Sequence, residues 1–106
     1  MRKTTSFVVF CILAVSAILA SASQEHSYVP SKGFVPDEKT AIRIAEAVLS
    51  PIYGEDKIRN EKPFVASLKR GVWTVQGSLP KGWAGGVAIA EISKSDGRIL
   101  RVSHGR

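Results

Sequence analysis

The chain has 106 residues, with fifteen lysines and arginines, nine aspartates and glutamates, and one cysteine, Cys11. The formal charge of +6 is spread along the chain without a basic stretch interleaved with aromatic residues, which argues against a nucleic-acid-binding protein. A single cysteine excludes a disulfide framework, and the length fits one domain.

Residues 1–22 have the pattern of a secretory signal peptide. Residues 1–3 begin the chain with basic side chains, residues 7–19 form an apolar run, and residues 20–22 supply the small residues of a cleavage site. The apolar run is shorter than the roughly 20 residues that a spanning helix needs, so we expect cleavage rather than a retained anchor. Phe10 precedes Cys11 where a lipid attachment site needs a small residue, so lipidation is not expected. The protein is therefore expected in the periplasm or secreted, without membrane attachment after cleavage.

The expected mature chain begins near Ser23. Removing residues 1–22 of 106 leaves 84 residues, with thirteen basic residues against nine acidic ones and no cysteine. Residues 23–35 contain proline, glycine and polar residues and are expected to form a flexible lead-in to one domain spanning 36–106. A domain of this size buries only about 60% of its unfolded surface, which favours a binding role over an elaborate active site.

A single amphipathic helix of about four turns is predicted to open the domain at Pro36. Proline suits the first turn of a helix, and the two acidic residues after it favour the positive end of the helix dipole. Pro51 kinks or ends the helix and Gly54 stops it. Residues 55–62 are a linker candidate, but the segment is too short to divide domains. The predicted apolar face repeats at spacings of three and four residues: Ala41, Ala45, Val48, Leu49 and Ile52.

Two alternating strands follow and are joined by the turn Arg70-Gly71. A two-residue loop sets Leu68 opposite Trp73 and gathers the bulky apolar side chains of both strands on one face. The same register places Gly77 beneath Phe64, where the ring would cover a bare glycine.

The last hairpin has two candidate registers around Asp96-Gly97. With that pair alone as the loop, Ile92 faces Arg101. With a three-residue loop and a glycine bulge, Ile92 pairs with Leu100 and Glu91 pairs with Arg101. We prefer the longer loop, because keeping an apolar side chain off the solvent face is worth about 1.5–3 kcal/mol, against about 0.2–1 kcal/mol for a cross-strand ion pair.

These elements predict an α+β fold in which one N-terminal helix packs on a four-stranded antiparallel meander. The open face of the sheet keeps four aliphatic residues among polar ones: Val65, Val72, Ile89 and Ile99. That half-apolar face is a candidate contact surface for a protein partner or for a second copy of the chain.

Few residues are placed for catalysis or metal binding. His26 lies in the lead-in and His104 near the last position, where we expect no packed framework to orient either ring. Two peripheral histidines do not supply the three or four ligands of a zinc site. The acidic residues after the helix, Glu55, Asp56 and Glu61, are expected to be solvated. No catalytic residue, metal or cofactor is therefore predicted.

The glycine-rich loop 80–86 is the least ordinary stretch. Trp83 either rests back on its own domain or serves as an exposed anchor for a partner, since tryptophan is enriched at interface hot spots. Gly85-Gly86 indicates a sharp bend rather than a phosphate loop, because a strand and not a helix follows it. The candidate partner-binding residues are Lys81 and Trp83 in this loop and the cross-strand pair Glu91 and Arg101.

The order of these motifs resembles a known family. VPDEKTAIRIAEAVLSPIYGEDKI is followed by EKPFVASLKRGVWTVQGSLPKGWAGGVAIAEISKSDGRILRVSHGR. The helix ending in Pro-Ile-Tyr-Gly, the Val-Trp-x-Val-x-Gly strand with Leu-Pro after it, the Gly-Gly pair and the closing Asp-Gly-Arg-Ile-Leu resemble nuclear transport factor 2 (NTF2) fold immunity proteins. These are proposed bacterial immunity proteins of polymorphic toxin systems.

The resemblance implies a protein that binds a cognate toxin and catalyses nothing. It implies a cystatin-like fold, with a helix laid across a curved antiparallel sheet. The chain is shorter than a full NTF2-like domain, so the deep ligand cone of that fold is not expected. Together with the signal peptide, the resemblance implies a toxin that acts in the periplasm.

Two other readings remain open at this stage. A PepSY-like module also pairs a helix with a short meander and an Asp-Gly hairpin, and would regulate a peptidase or an envelope sensor. A small-molecule-binding or enzymatic NTF2-like domain would require a carboxylate or histidine inside the concavity of the sheet. Glu91 is the strand candidate for that role, but only in the hairpin register that we did not prefer.

Overall fold

The computed structural model describes residues 26–105. Two helices precede four strands: α1 (Glu38–Tyr53), α2 (Glu55–Asn60), β1 (Val65–Lys69), β2 (Val72–Gln76), β3 (Ala88–Ser93) and β4 (Ile99–His104). The sheet order is β1-β2-β3-β4 with every neighbouring pair antiparallel, and α1 packs across β1, β2 and β3. The predicted helix on a four-stranded meander is confirmed. The predicted signal peptide, residues 1–22, lies outside the described residues.

The start of α1 is set by its cap at Asp37, so Pro36 precedes the helix instead of occupying its first turn as predicted. Asp37 has an extended backbone, and its Oδ1 accepts a hydrogen bond from the backbone N–H of Thr40 at 2.8 Å. This bond satisfies one of the amide groups that the first turn of a helix leaves free. The helix runs past Pro51 to Tyr53 and ends at Gly54, whose φ of +103° suits glycine.

The core-facing side of α1 differs from the predicted face at its end. Ala41, Ala45 and Leu49 are fully buried, but Ile52 is 55% exposed and Tyr53 packs against the core instead. Positions four apart on a helix lie about 40° apart, whereas positions three apart lie about 60° apart. Tyr53 therefore continues the stripe that ends at Leu49 more closely than Ile52 does.

The cap of α1 makes stability depend on pH. Hydrogen bonds with Thr40 lower the pKa of Asp37 below its ordinary value of 3.8. A group whose folded-state pKa is lowered stabilises the fold above its unfolded-state pKa, and this stabilisation is lost as the pH falls through the folded-state pKa. We expect Asp37→Ala to lower the melting temperature at neutral pH and to matter less in acid.

Asp37→Asn is the matched control, because asparagine caps a helix about as well as aspartate and does not titrate. Melting curves followed by circular dichroism between about pH 2 and pH 7 measure both variants. An equal loss for the two variants at pH 7 would contradict the role assigned to the cap.

The short helix α2 occupies the stretch that was a linker candidate in the sequence. Ile58 is 1% exposed and anchors α2 to the core, and Asp56 pairs with Arg59 at 2.7 Å along its outer side. A six-residue helix has no stability of its own, so burial of Ile58 rather than local propensity holds it in place. The stretch is therefore a packed helix and not a linker.

The first hairpin has the predicted register. Arg70 and Gly71 form a two-residue turn with φ of +51° and +76°, and Leu68 lies opposite Trp73. Trp73 is 5% exposed, as expected of a core residue, whereas Leu68 on the edge strand is 45% exposed. The predicted cover of Gly77 by Phe64 is wrong, because the atoms nearest to Gly77 belong to Glu61.

The second hairpin follows the preferred register at Glu91 and departs from it at the turn. Glu91 lies opposite Arg101 as predicted, but Ile92 lies opposite Ile99, and a bulge falls at Leu100. Leu100 is 43% exposed instead of buried. The loop is one residue longer than predicted, because the N–H of Ser93 donates to the carbonyl of Arg98. The bulge then restores the register beyond the turn.

The segment before α1 is part of the core. Val35 is fully buried, and its carbonyl oxygen accepts a hydrogen bond from Trp73 Nε1 at 2.8 Å. The N–H groups of Phe34 and Val35 donate to the carbonyls of Ser95 and Lys94. The expectation of a flexible lead-in up to residue 35 was therefore wrong for its last residues. The buried core is Val35, Ala41, Ala45, Leu49, Ile58, Phe64, Ala66, Trp73, Val75, Ala88, Ala90 and Ile92.

Within residues 26–105 both helices are too short or too polar to cross a bilayer.

Candidate binding site

Glu61 is buried where the chain leaves α2. The residue is 6% exposed, and its Oε1 accepts a hydrogen bond from the N–H of Ala88 at 2.7 Å. Its backbone carbonyl accepts a second one from the N–H of Ser78 at 2.7 Å. Glu61 thereby joins the end of β2 to the start of β3. An acidic residue that was expected to be solvated is instead part of the framework.

Gly77 makes room for this carboxylate. A Cβ at position 77 would lie 2.8 Å from Glu61 Oε1 and 2.9 Å from Glu61 Cβ, both closer than real Cβ contacts. The N–H of Gly77 donates to the carbonyl of Ala88, so the backbone at this point is held by the sheet and cannot easily retreat. The close approach of a side chain to the backbone explains why glycine ends β2.

His104, the last residue of β4, completes the pair. Its Nε2 lies 2.9 Å from Glu61 Oε2 and its Nδ1 lies 2.6 Å from the carbonyl oxygen of Gly105. The His104 side chain is 14% exposed, and its ring lies 5.2 Å from the ring of Tyr53, centroid to centroid. Both ring nitrogens therefore lie within hydrogen-bond distance of an oxygen atom. The expectation that nothing orients His104 was wrong.

A cavity of about 320 Å³ opens beside the Glu61–His104 pair. Lys57 and Asn60 of α2 form one wall, and the loop 79–86 forms the other. Trp83 lines the cavity on one side and is nevertheless 69% exposed, so it does not rest back on the domain. The N–H of Trp83 donates to the carbonyl of Pro80, which closes a turn at this point of the loop. We call this cavity, together with the loop 79–86 that lines it, the Trp83 surface.

The four predicted partner-binding residues fall on two separate surfaces. Lys81 is exposed in the same loop as Trp83. Glu91 and Arg101 form an ion pair at 2.6 Å in the middle of the open sheet face, where Arg101 also donates to the hydroxyl of Ser103. The Arg101 side chain is 52% exposed and the Glu91 side chain is 29% exposed, and each is paired with the other. Whether any of the four contacts a partner stays a prediction.

The two titratable side chains of the pair, Glu61 and His104, are engaged within the fold. Both carboxylate oxygens of Glu61 and both ring nitrogens of His104 have partners. The reading of a ligand-binding NTF2-like domain named Glu91 as the strand candidate, and Glu91 is ion-paired with Arg101 outside this cavity. Among residues 26–105, no group of three or more His, Cys, Asp or Glu side chains is arranged to hold a metal ion.

The Glu61–His104 pair was missed because its members are far apart in sequence and each looks ordinary. The available signal was Gly77, since a glycine at a strand end marks the close approach of another group. The sequence does not say which group approaches.

A helix packed on one face of a four-stranded antiparallel meander is an α+β arrangement consistent with an NTF2-like fold. Residues 40–106 match the family model described as NTF2 fold immunity protein. The chain belongs to this family of immunity proteins, as its motifs predicted.

Two curated proteins of Escherichia coli K12 are similar to the chain. YhhH is 37% identical and YbbC is 38% identical, each over 76 residues that make up 71% of this chain. Both are described as uncharacterized. The matched region spans 60% of YhhH and 62% of YbbC, so the chain covers less than two thirds of either relative. No solved structure shows a significant match.

Proposed function

We propose that this protein is an exported immunity protein that binds a cognate protein toxin in the periplasm and neutralises it without catalysing a reaction. The observation that carries the proposal is membership of the NTF2 fold immunity protein family over residues 40–106. Immunity by occlusion requires a stable surface that fits the toxin, and a small rigid α+β domain can present one.

Export is supported by the sequence of residues 1–22. The basic start, the short apolar run and the small residues after it have the order that a secretory signal peptide requires. A toxin neutralised by an exported protein would act on the cell envelope.

The Trp83 surface is the contact site that we favour. Trp83 is the most exposed large apolar side chain of the loop, and Leu79 beside it is 40% exposed. Tryptophan combines a large apolar area with a single polar N–H, which makes it a frequent interface anchor. The cavity next to it is wide enough to receive a side chain of the partner, and Lys57 and Lys81 favour an acidic one.

The test uses the full chain and the products of its neighbouring genes. We expect one neighbouring gene to encode a protein that stops growth when it is exported to the periplasm, and co-expression of the full chain to restore growth. Trp83→Ala is expected to weaken binding of that toxin by about 30-fold, because truncating an anchor residue typically costs about 2 kcal/mol. Isothermal titration calorimetry measures the affinity.

Phe34→Ala is the matched control, since Phe34 is an aromatic residue that is 51% exposed away from the Trp83 loop. Binding that is lost equally in both variants would place the contact elsewhere. Failure of the wild-type chain to restore growth against every neighbouring gene product would overturn the proposed function.

A further inference from the structure

A groove of about 470 Å³ lies at the hairpin end of the sheet. Three segments form it: the loop before α1, the turn between β1 and β2, and the turn between β3 and β4. We infer that this groove binds an acidic segment of a protein partner. It presents four basic side chains, Lys32, Arg70, Lys94 and Arg98. We call it the basic groove.

Backbone hydrogen bonds hold the three segments together. The N–H of Lys94 donates to the carbonyl of Gly71 at 2.9 Å, which joins the two turns. The N–H of Val35 donates to the carbonyl of Lys94 at 3.0 Å, and Lys94 Nζ donates to the carbonyl of Lys32. The basic groups therefore sit on a fixed backbone rather than on three independent loops.

The basic groove has no ion pair of its own within residues 26–105. Among the described residues, no acidic side chain lines the groove, and none of its four basic residues takes part in an ion pair. Asp96 is the nearest acid in the chain. A hydrogen bond from the N–H of Arg98 to Asp96 Oδ1, at 3.0 Å, is the main cause that lowers the pKa of Asp96, and the charge of Arg98 also helps to lower it. The Asp96 carboxylate is therefore hydrogen-bonded to the backbone of its own turn.

Arg70 occupies a position that does not favour arginine. Its φ of +51° lies in the left-handed region, where a two-residue hairpin turn prefers asparagine, aspartate or glycine. The turn itself gives no reason for a guanidinium group there. A role in binding would explain the arginine, because Arg70 lies beside three other basic groups and a guanidinium can bind a carboxylate with two parallel hydrogen bonds.

The shape of the groove favours a polypeptide over a lipid surface. Its walls include Val72 and the 43% exposed Leu100, together with serine hydroxyls and glycine backbone. A concave site that mixes basic and apolar groups fits a peptide that carries both acidic and apolar side chains. A membrane surface would be met better by basic groups on a flat or convex face.

The basic groove is independent of the Trp83 surface. His104, which lines the Trp83 cavity, lies opposite Ala88 at one end of the sheet, and Ile92 lies opposite Ile99 at the other end, next to the turn that forms the groove. Strands of this length hold the two ends roughly 15–20 Å apart. The inference therefore does not rest on the proposed toxin contact at Trp83.

The test measures binding of a labelled hexapeptide of alternating glutamate and leucine to the full chain by fluorescence anisotropy. We expect saturable binding that weakens as sodium chloride is raised, because exposed charges are screened. Arg70→Glu combined with Arg98→Glu is expected to weaken it by at least about tenfold, since two attractive pairs become repulsive. Lys39→Glu combined with Arg43→Glu changes the net charge equally on α1 and is expected to have less than about a twofold effect.

Arg70→Asn combined with Arg98→Gln is a second variant whose turn residue suits the left-handed backbone, and its fold is checked by circular dichroism. It should also lose binding. Equal losses in the groove and α1 variants, binding without saturation, or preferential binding to vesicles of phosphatidylglycerol and phosphatidylcholine would each overturn the inference. The growth assay with the toxin tests the proposed function, and its result does not depend on whether the basic groove binds the peptide.

Discussion

Replacing Glu61 by alanine is expected to lower the free energy of unfolding by about 2–5 kcal/mol, because two buried polar groups each lose a hydrogen-bond partner at about 1–3 kcal/mol. The Glu61 and His104 side chains are 8% and 14% exposed, so removing the carboxylate leaves a buried imidazole without its partner. The N–H of Ala88 loses its acceptor at the same time. Urea unfolding followed by tryptophan fluorescence measures the loss.

The controls separate burial from charge. Asp56→Ala removes an acidic residue that also forms an ion pair but is 90% exposed, and it should cost little. Glu61→Gln keeps an acceptor for Ala88 N–H and is expected to fall between wild type and Glu61→Ala. Because Glu61 and His104 interact directly, the double variant with His104→Ala should lose less than the sum of the single losses. A Glu61→Ala loss no larger than that of Asp56→Ala would show that the pair is not structural.

Trp73→Ala is expected to lower the free energy of unfolding by about 3–5 kcal/mol, in the range found for large aromatic residues in cores. Trp73 is 5% exposed and packs at the centre of the sheet beneath α1. Trp73→Phe keeps most of the apolar area but leaves the buried carbonyl of Val35 without its 2.8 Å hydrogen bond. That variant should lose about 1–3 kcal/mol.

The second tryptophan of the described chain is the matched control. Trp83 is 69% exposed, so Trp83→Ala should change stability by no more than about 0.5 kcal/mol. Amide hydrogen exchange adds a second readout, because Trp73→Phe should also release protection at Phe34 and Val35. Unchanged protection there would mean that the indole N–H does not hold the N-terminal segment.

These two losses matter because a small domain has a thin stability margin. A free energy of unfolding of about 5–15 kcal/mol leaves little after a loss of about 2–5 kcal/mol. A loss of toxin binding in a Glu61 or Trp73 variant would therefore result from unfolding and would not identify a residue that contacts the toxin. Variants of exposed residues such as Trp83 and Arg98 therefore give the cleaner tests of function.

The candidate site was predicted only in part from the sequence. The loop 80–86 stood out because tryptophan among glycines is unusual, and in the structure Trp83 lines a cavity. Lys57 and Asn60 of α2 also line that cavity, and α2 lies in the stretch that was only a linker candidate in the sequence. Six residues with one apolar side chain carry no helical periodicity, so no pattern could have indicated that α2 lines the cavity.

Local chemistry in the sequence determined the start of α1, the two-residue turn at Arg70-Gly71 and the pairing of Glu91 with Arg101. A cap, a turn and a cross-strand pair each act over a few residues, so the pattern that specifies them is contiguous. Only the tertiary structure decided that Glu61 meets His104, 43 positions away, and that Val35 meets Trp73, 38 positions away. Such contacts form because the packed core brings distant segments together, and burial then makes an ordinary glutamate and an ordinary carbonyl costly to leave unpaired.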